Sequence, residues 1–149
     1  MTFELRELYQ EMIMDHNRNP RNHHEMVDAS AQANGFNRLC GDKLTVYLKL
    51  EGHKISDLSF LGQGCAISQA SASLMTEALV GKTVQEAHAL FESFHSMLTT
   101  EDDSDLSSLN KLTVLAGVRA YPARVKCATL AWHTLEAALN KEADPVSTE

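Results

Sequence analysis

The chain has 149 residues, a formal charge of −7 with its histidines neutral, and hydrophobic and charged fractions of 44% and 22%. That balance predicts one globular domain over residues 1–149 with an ordinary core, and it excludes a disordered chain. An acidic chain lacks the clustered Lys and Arg that a nucleic-acid partner requires, and no apolar run is long enough to cross a membrane.

Met1–Glu7 carries acids where a signal peptide would carry basic residues, so a cytoplasmic location with reduced thiols is expected. Leu5, Leu8, Tyr9, Met12 and Ile13 recur at helical spacing after a Thr2 cap, and Pro20 ends that helix. Residues 26–42 show no period and contain Asn34-Gly35, which predicts a loop with at most one short edge strand. Leu44, Val46, Leu48 and Leu50 alternate with polar positions as in a half-buried strand. Gly52-His53 then turns into a second strand of weaker alternation carrying Ile55, Leu58 and Phe60.

After Gly64 the pattern is helical. Ile67–Val80 predicts a helix with Ala66, Ala70, Ser71 and Ser73 on a small-residue side, closed by Gly81. Thr83-Val84-Gln85-Glu86 has capping-box spacing ahead of the stripe Val84, Ala87, Phe91, Phe94 and Leu98. Glu101–Asp105 reads as a solvated acidic loop, and Leu106, Leu109, Leu112 and Leu115 as a short helix. Pro122 suits the first position of the last helix, with Val125, Ala128, Trp132, Leu135 and Leu139 as its buried face. Asp144–Glu149 reads as a frayed tail. The order predicts an α+β fold, a small antiparallel sheet with helices packed on one face.

Three cysteines remain, an odd number widely spaced and a poor disulfide framework. Cys40 and Asp42 are two apart, so an extended backbone puts both side chains on one side, and Gly41 between them tolerates an unusual backbone angle. Cys65 and Cys127 stand at or near helix starts, where free N–H groups favour a thiolate. Three sulfurs and one carboxylate match tetrahedral zinc, and thiolate-rich ligation also suits an iron–sulfur cluster. A purely structural site gains nothing from a carboxylate, whereas an exchangeable site does. The plainer alternative is that each cysteine is a small buried hydrophobe. The seven histidines are scattered; His23-His24 reads as surface loop, and His133, about 1.7 turns beyond Cys127, points away from it.

Taken together, several motifs resemble the IscU/NifU-like family of iron–sulfur cluster assembly proteins. They are Asp15-His16 with Asn19-Pro20-Arg21-Asn22, Cys40-Gly41-Asp42, Gly64-Cys65-Ala66-Ile67-Ser68 with Ala70-Ser71-Ala72-Ser73, and Val125-Lys126-Cys127-Ala128-Thr129-Leu130-Ala131-Trp132. Within the family the chain is most similar to the SufU branch. Lys126 stands where the scaffold branch has a histidine before its third cysteine, and the interval from Gly81 to Pro122 is long.

The resemblance implies Cys40, Asp42, Cys65 and Cys127 as ligands of Zn²⁺. It implies a cysteine desulfurase of the SufS type as partner, with downstream iron–sulfur assembly proteins receiving the sulfur. The chain shows no pyridoxal-phosphate site, so carbon–sulfur cleavage falls to the partner, and this protein is a sulfurtransferase-type accessory rather than an independent catalyst. Cys40, in the least regular segment, is the expected sulfur acceptor. Arg124 and Lys126 are candidate docking residues. The rival readings are a scaffold holding a transient [2Fe–2S] cluster on the same ligands and a structural zinc-binding interaction module.

Overall fold

The computed structural model describes residues 3–100, 108–141 and 144–148. The Thr2 cap, the acidic run 101–105, Leu106 and Glu149 lie outside them. In chain order the elements are α1 (Phe3–Arg18), β1 (Ala31–Asn37), β2 (Asp42–Glu51), β3 (Lys54–Gln63), α2 (Ala66–Leu79), α3 (Val84–Thr99), a 3₁₀ helix (Asn110–Ala120), α4 (Pro122–Leu139) and β4 (Val146–Ser147).

The β2–β3 hairpin follows the expected alternation, with Leu44, Val46 and Leu48 buried on one face. The weaker pattern of β3 has a local cause. Register shifts between Lys49 and Leu50, so Leu50 faces Ile55 while Lys49 faces Asp57. That bulge leaves Ser56 without an opposite residue and lets Ile55 and Leu58, three apart, both enter the core.

The segment expected to be mostly loop contains the seven-residue β1, antiparallel to β2. Asn34-Gly35 makes no turn there. A Cβ on Gly35 would collide with the Thr134 hydroxyl and stand 3.1 Å from Leu130 Cδ1, so the glycine lets α4 lie directly on the strand. Nor is the tail frayed. Val146 and Ser147 pair in parallel with Gly35 and Phe36, and the Thr148 hydroxyl donates to the Lys126 carbonyl at 3.0 Å. A two-residue strand has no periodicity to read. Its parallel pairing makes the four-stranded sheet mixed, in the order β3-β2-β1-β4, rather than purely antiparallel.

Against the sheet lie α4, over β1 and β2, and α2, over β3, with α1 on α2 and the 3₁₀ helix touching α1, α2, α3 and α4. The burial of α4 is wider than one stripe, because it is covered by the sheet as well as by α2 and α3. Leu130, Ala131, Thr134, Ala137 and Ala138 are buried along with Ala128, Trp132 and Leu135. Trp132 stacks on Phe94 at 4.7 Å and on Phe91 at 5.9 Å. Its indole N–H donates to the Ser71 hydroxyl at 3.2 Å, and that hydroxyl donates to the Ala128 carbonyl. The small residues of α2 thus allow close helix approach and supply the polar partners that a buried tryptophan needs. The capping box of α3 is present, with Thr83 and Glu86 each accepting from the other's backbone N–H at 3.1 Å. The helix after the acidic loop forms as 3₁₀.

Candidate metal centre

Three local structures converge at one end of the sheet. The first is the turn between β1 and β2. The Asn37 side chain accepts from Leu39 N at 3.1 Å, and Gly41 N donates to the Arg38 carbonyl at 3.3 Å. Gly41 takes φ +72°, a conformation that residues with a Cβ rarely adopt. This fold of the turn leaves Leu39 at 79% exposure, Cys40 partly exposed, and Asp42, the first residue of β2, buried.

The second is the junction of β3 and α2. Gly64 is pressed against Asp42: a Cβ there would collide with Asp42 Oδ1 and stand 2.9 Å from its Cα. The absence of that Cβ brings Cys65 N within 2.8 Å of Asp42 Oδ1. Cys65 is the N-cap of α2, and its sulfur accepts from Ser68 N at 3.5 Å. The third is the start of α4. Cys127 lies in its second turn, fully buried, and Cys40 Sγ is 4.0 Å from the Ala123 carbonyl one turn earlier.

Cys40, Asp42 and Cys127 each bring a ligand atom into a set lying within 4.8 Å of one another. Two sulfurs on one tetrahedral zinc with bonds of ~2.3 Å stand about 3.8 Å apart, so a small contraction would bring these three donors onto one ion. Cys65 stands beside this set rather than within it, tied to Asp42 through its N–H and in electrostatic contact with Cys127. Burial pushes the Cys127 thiol well above its usual range, and the neighbouring Cys40, Asp42 and Cys65 act in the same direction. Four acidic groups this close repel as anions, and a bound cation reverses that penalty.

One atom is decisive for the fit. Asp42 is 2% exposed; Oδ1 is satisfied by Cys65 N, whereas Oδ2 is buried with no hydrogen-bond partner. A buried carboxylate oxygen without a partner is costly, and a metal ligand position supplies one. The donor set is therefore suited to Zn²⁺.

The other residues picked out in sequence are placed differently. Arg124 and Lys126 are exposed on α4, and Lys126 lines a groove of about 490 Å³ with His95, His133 and Thr148 rather than with the thiols. A larger cavity of about 900 Å³, bounded by Leu74, Glu77, Leu90, Leu109 and Lys111 among others, contains no thiol or histidine. His133 packs edge-on against Phe91 at 5.1 Å and faces His95. His23 and His24 are exposed, as expected, with the His23 ring edge-on to Phe60 at 5.0 Å.

The Asp15–Asn22 motif has a structural part. Ser73 Oγ accepts from Arg21 N at 2.8 Å and shares a hydrogen bond with His16 Nδ1 at 2.7 Å, while His16 Nε2 faces Glu77 at 3.5 Å. Asn22 Nδ2 donates to Thr76 Oγ1 at 3.0 Å. These bonds fix α1 and the turn after it to α2. Sequence reasoning passed over Gly64 as a contact residue, and also Ser68 and Gln69, whose side chains are buried with Ser68 Oγ and Gln69 Nε2 unpartnered. Their position in the turn after Cys65 was the available signal.

Comparison with known proteins identifies the family. Residues 8–141 match the NifU-like N-terminal domain. The zinc-dependent sulfurtransferase SufU of Bacillus subtilis is 42% identical over 135 residues, 91% of each chain. The iron–sulfur cluster assembly scaffold protein IscU of Thermotoga maritima is 41% identical over 145 residues, covering 97% of this chain and all of that one. Among solved structures, a candidate iron–sulfur scaffold of the SUF system from Fervidobacterium islandicum superposes with a TM-score of 0.82 at 40% identity, over 87% of this chain and 94% of its own. With the motifs, the fold and the thiol–carboxylate cluster all in agreement, the chain belongs to the IscU/NifU-like family of iron–sulfur cluster assembly proteins.

Proposed function

We propose that this protein is a zinc-dependent sulfur acceptor, which stimulates a cysteine desulfurase of the SufS type and relays sulfane sulfur to downstream iron–sulfur assembly proteins. The observation that carries the reading is the buried Asp42 carboxylate, with Oδ2 unpartnered, in mutual reach of the Cys40 and Cys127 sulfurs. Cys40, Asp42, Cys65 and Cys127 would hold the metal. When bound, Zn²⁺ keeps the thiols ionised at neutral pH.

Access sets Cys127 apart, since it is fully buried whereas Cys40 and Cys65 are both partly exposed. Of those two, Cys65 is engaged as the cap of α2, and Cys40 lies on a glycine-flanked turn. Cys40 is therefore the acceptor. Its thiolate attacks the outer sulfur of the partner's persulfide, the sulfur–sulfur bond of that persulfide breaks, and the partner's cysteine leaves as a thiolate. No net oxidation occurs, since sulfane sulfur moves between two thiols. Exposed Leu39 and Tyr121 offer apolar contact beside the turn, and Arg124 adds positive charge.

The experiment joins elemental analysis of protein purified anaerobically without added metal to desulfurase turnover with and without the chain. The expected result is about one zinc per chain, faster turnover and one extra sulfur on the protein. A second reading, a scaffold for a transient [2Fe–2S] cluster, draws support from the IscU relative and from the same sulfur-rich donor set. Substoichiometric zinc with an iron chromophore would select it. Zinc without sulfur uptake would select a structural module.

A further inference from the structure

Two sulfurs of the candidate metal centre lie in mutual reach yet differ in access. Cys40 Sγ and Cys127 Sγ belong to the set whose ligand atoms lie within 4.8 Å of one another. Cys40 is partly exposed, whereas Cys127 is 0% exposed. The Cys40 sulfur also stands 4.0 Å from the Ala123 carbonyl, one turn before Cys127, so the β1–β2 turn lays its thiol against the start of α4. Cys65 is outside this set, and its sulfur accepts from Ser68 N at 3.5 Å as the cap of α2. As a metal ligand alone, Cys127 has no part in sulfur transfer.

The order of the two sulfurs from solvent inward gives Cys127 a chemical role. A sulfur handed to Cys40 by another protein arrives from the solvent side, because Cys40 is the member of the pair open to it. The transferred sulfur would then point outward, and the buried Cys127 would face Cys40 Sγ from the opposite side. A disulfide needs its sulfurs about 2.05 Å apart, so the gap to close is at most about 3 Å. That movement falls to the β1–β2 turn, where Leu39 is 79% exposed and a Cβ on Gly41 would meet nothing within 4 Å.

We propose that Cys127 is a resolving cysteine: with no metal on it, it cleaves a persulfide carried by Cys40 and releases the sulfur as sulfide. The inference rests on the sulfur-acceptor reading above. The Cys127 sulfur attacks Cys40 Sγ and a Cys40–Cys127 disulfide forms. The bond from Cys40 Sγ to the sulfane sulfur breaks, and that sulfur departs as hydrosulfide. Burial favours the thiol at Cys127, and its proton leaves with the departing sulfur. The sulfane sulfur is reduced by two electrons while two thiols are oxidised to a disulfide, so no outside oxidant takes part. A metal on Cys127 holds its sulfur back. The metal-loaded chain therefore keeps sulfane sulfur for a downstream protein, and the metal-free chain discharges it.

The test uses two anaerobic samples of the full chain. One is zinc-loaded, supplied with sulfur by desulfurase and cysteine, freed of both and then treated with a chelator. The other is metal-free from the start, supplied with sulfur by glutathione persulfide and desalted. Sulfide release, intact mass and peptide maps are followed with time. Both should release about one sulfide for each sulfane sulfur and gain a Cys40–Cys127 disulfide. Without chelator, the zinc-loaded chain should hold its sulfur roughly tenfold longer or more, since the internal thiol acts at high effective concentration only when free. Metal-free Cys127→Ala should keep the persulfide on Cys40, and Cys65→Ala should release sulfide as the wild type does. A wild type that gains no sulfur from the desulfurase overturns the acceptor reading, while the glutathione persulfide sample still decides the resolving step. A sulfur-loaded, metal-free wild type that keeps its persulfide, or loses it without a Cys40–Cys127 disulfide, overturns the resolving role alone. A Cys40–Cys65 disulfide, or undiminished release from Cys127→Ala, also overturns it.

Discussion

Replacing Gly64 with alanine tests the geometry of the thiol site without altering any ligand. The new methyl group would collide with Asp42 Oδ1 and lie 2.9 Å from Asp42 Cα. Ordinary carbon–carbon contact begins near 3.5 Å, so a backbone atom, and not the end of a flexible side chain, must retreat by about half an ångström. Asp42 Oδ1 also holds Cys65 N at 2.8 Å, and that bond stretches or breaks as the two segments part. Forcing one methyl group into a packed site costs about 1–3 kcal/mol, which for a chain of this length lowers Tm by roughly 2–12 °C. The displacement also moves the carboxylate away from the sulfurs, so zinc retention should fall together with Tm. Gly117→Ala is the control, because a Cβ there meets no atom within 4 Å. Calorimetry and zinc analysis of both variants decide the matter. A Gly64→Ala protein that melts with the wild type and keeps its zinc would refute the contact on which the site's construction depends.

Other outcomes follow from the same structure. Cys40→Ser should lose sulfur uptake yet keep appreciable zinc, whereas Cys127→Ser, at the fully buried position, should lose most of the metal; peptide mapping that puts the extra sulfur on Cys65 or Cys127 would contradict this. Chelation should lower Tm, since a metal held by Cys40, Asp42, Cys65 and Cys127 would tie the β1–β2 turn, the start of α2 and α4 together, and an unchanged Tm with zinc demonstrably removed counts against that coupling. His16 gives a pH effect of definite sign. Burial, helped by Arg21 and opposed by Glu77, lowers its pKa below the ordinary 6.5, so the unfolded chain takes up a proton that the folded one resists. Stability is complete above about pH 6.5 and is lost as pH falls through the lowered value, and Tm measured from pH 7.5 to 5.5 should drop more steeply for the wild type than for His16→Gln. His133, lowered by burial and by His95, contributes a residual slope of the same sign.

The elements most legible in the sequence are those whose periodicity reports a single environment. The alternation of Leu44, Val46 and Leu48 and the Thr83–Glu86 box are of this kind, each settled by neighbours a few residues away. What escaped depends on distant partners. Gly35 signals a turn by composition, yet the need for a glycine there comes from Thr134 on α4, about a hundred residues later. The strand Val146–Ser147 exists only because β1 offers it an edge. In the thiol site, residue types alone indicate the chemistry of Cys40, Asp42 and Cys127. The division of labour on Asp42 does not follow from residue type, because it needs the packing of Gly64 to bring Cys65 N onto one oxygen and leave the other without a partner.

The borders of the sheet constrain how any partner can approach. Along β3, Phe60 N bonds to the Asn22 carbonyl at 3.0 Å, and Ile55 exchanges bonds with Gly81 and Lys82 at 2.8 Å. On the other side β4 occupies Gly35 and Phe36 of β1. Main-chain groups at these positions are therefore spoken for, and strand addition there is disfavoured. A visiting protein must instead read side chains and helix ends. Among the described residues, exposed surface beside the thiols includes the Leu39–Cys40 turn and the start of α4 at Tyr121, so on the proposed function docking and chemistry would share one small area.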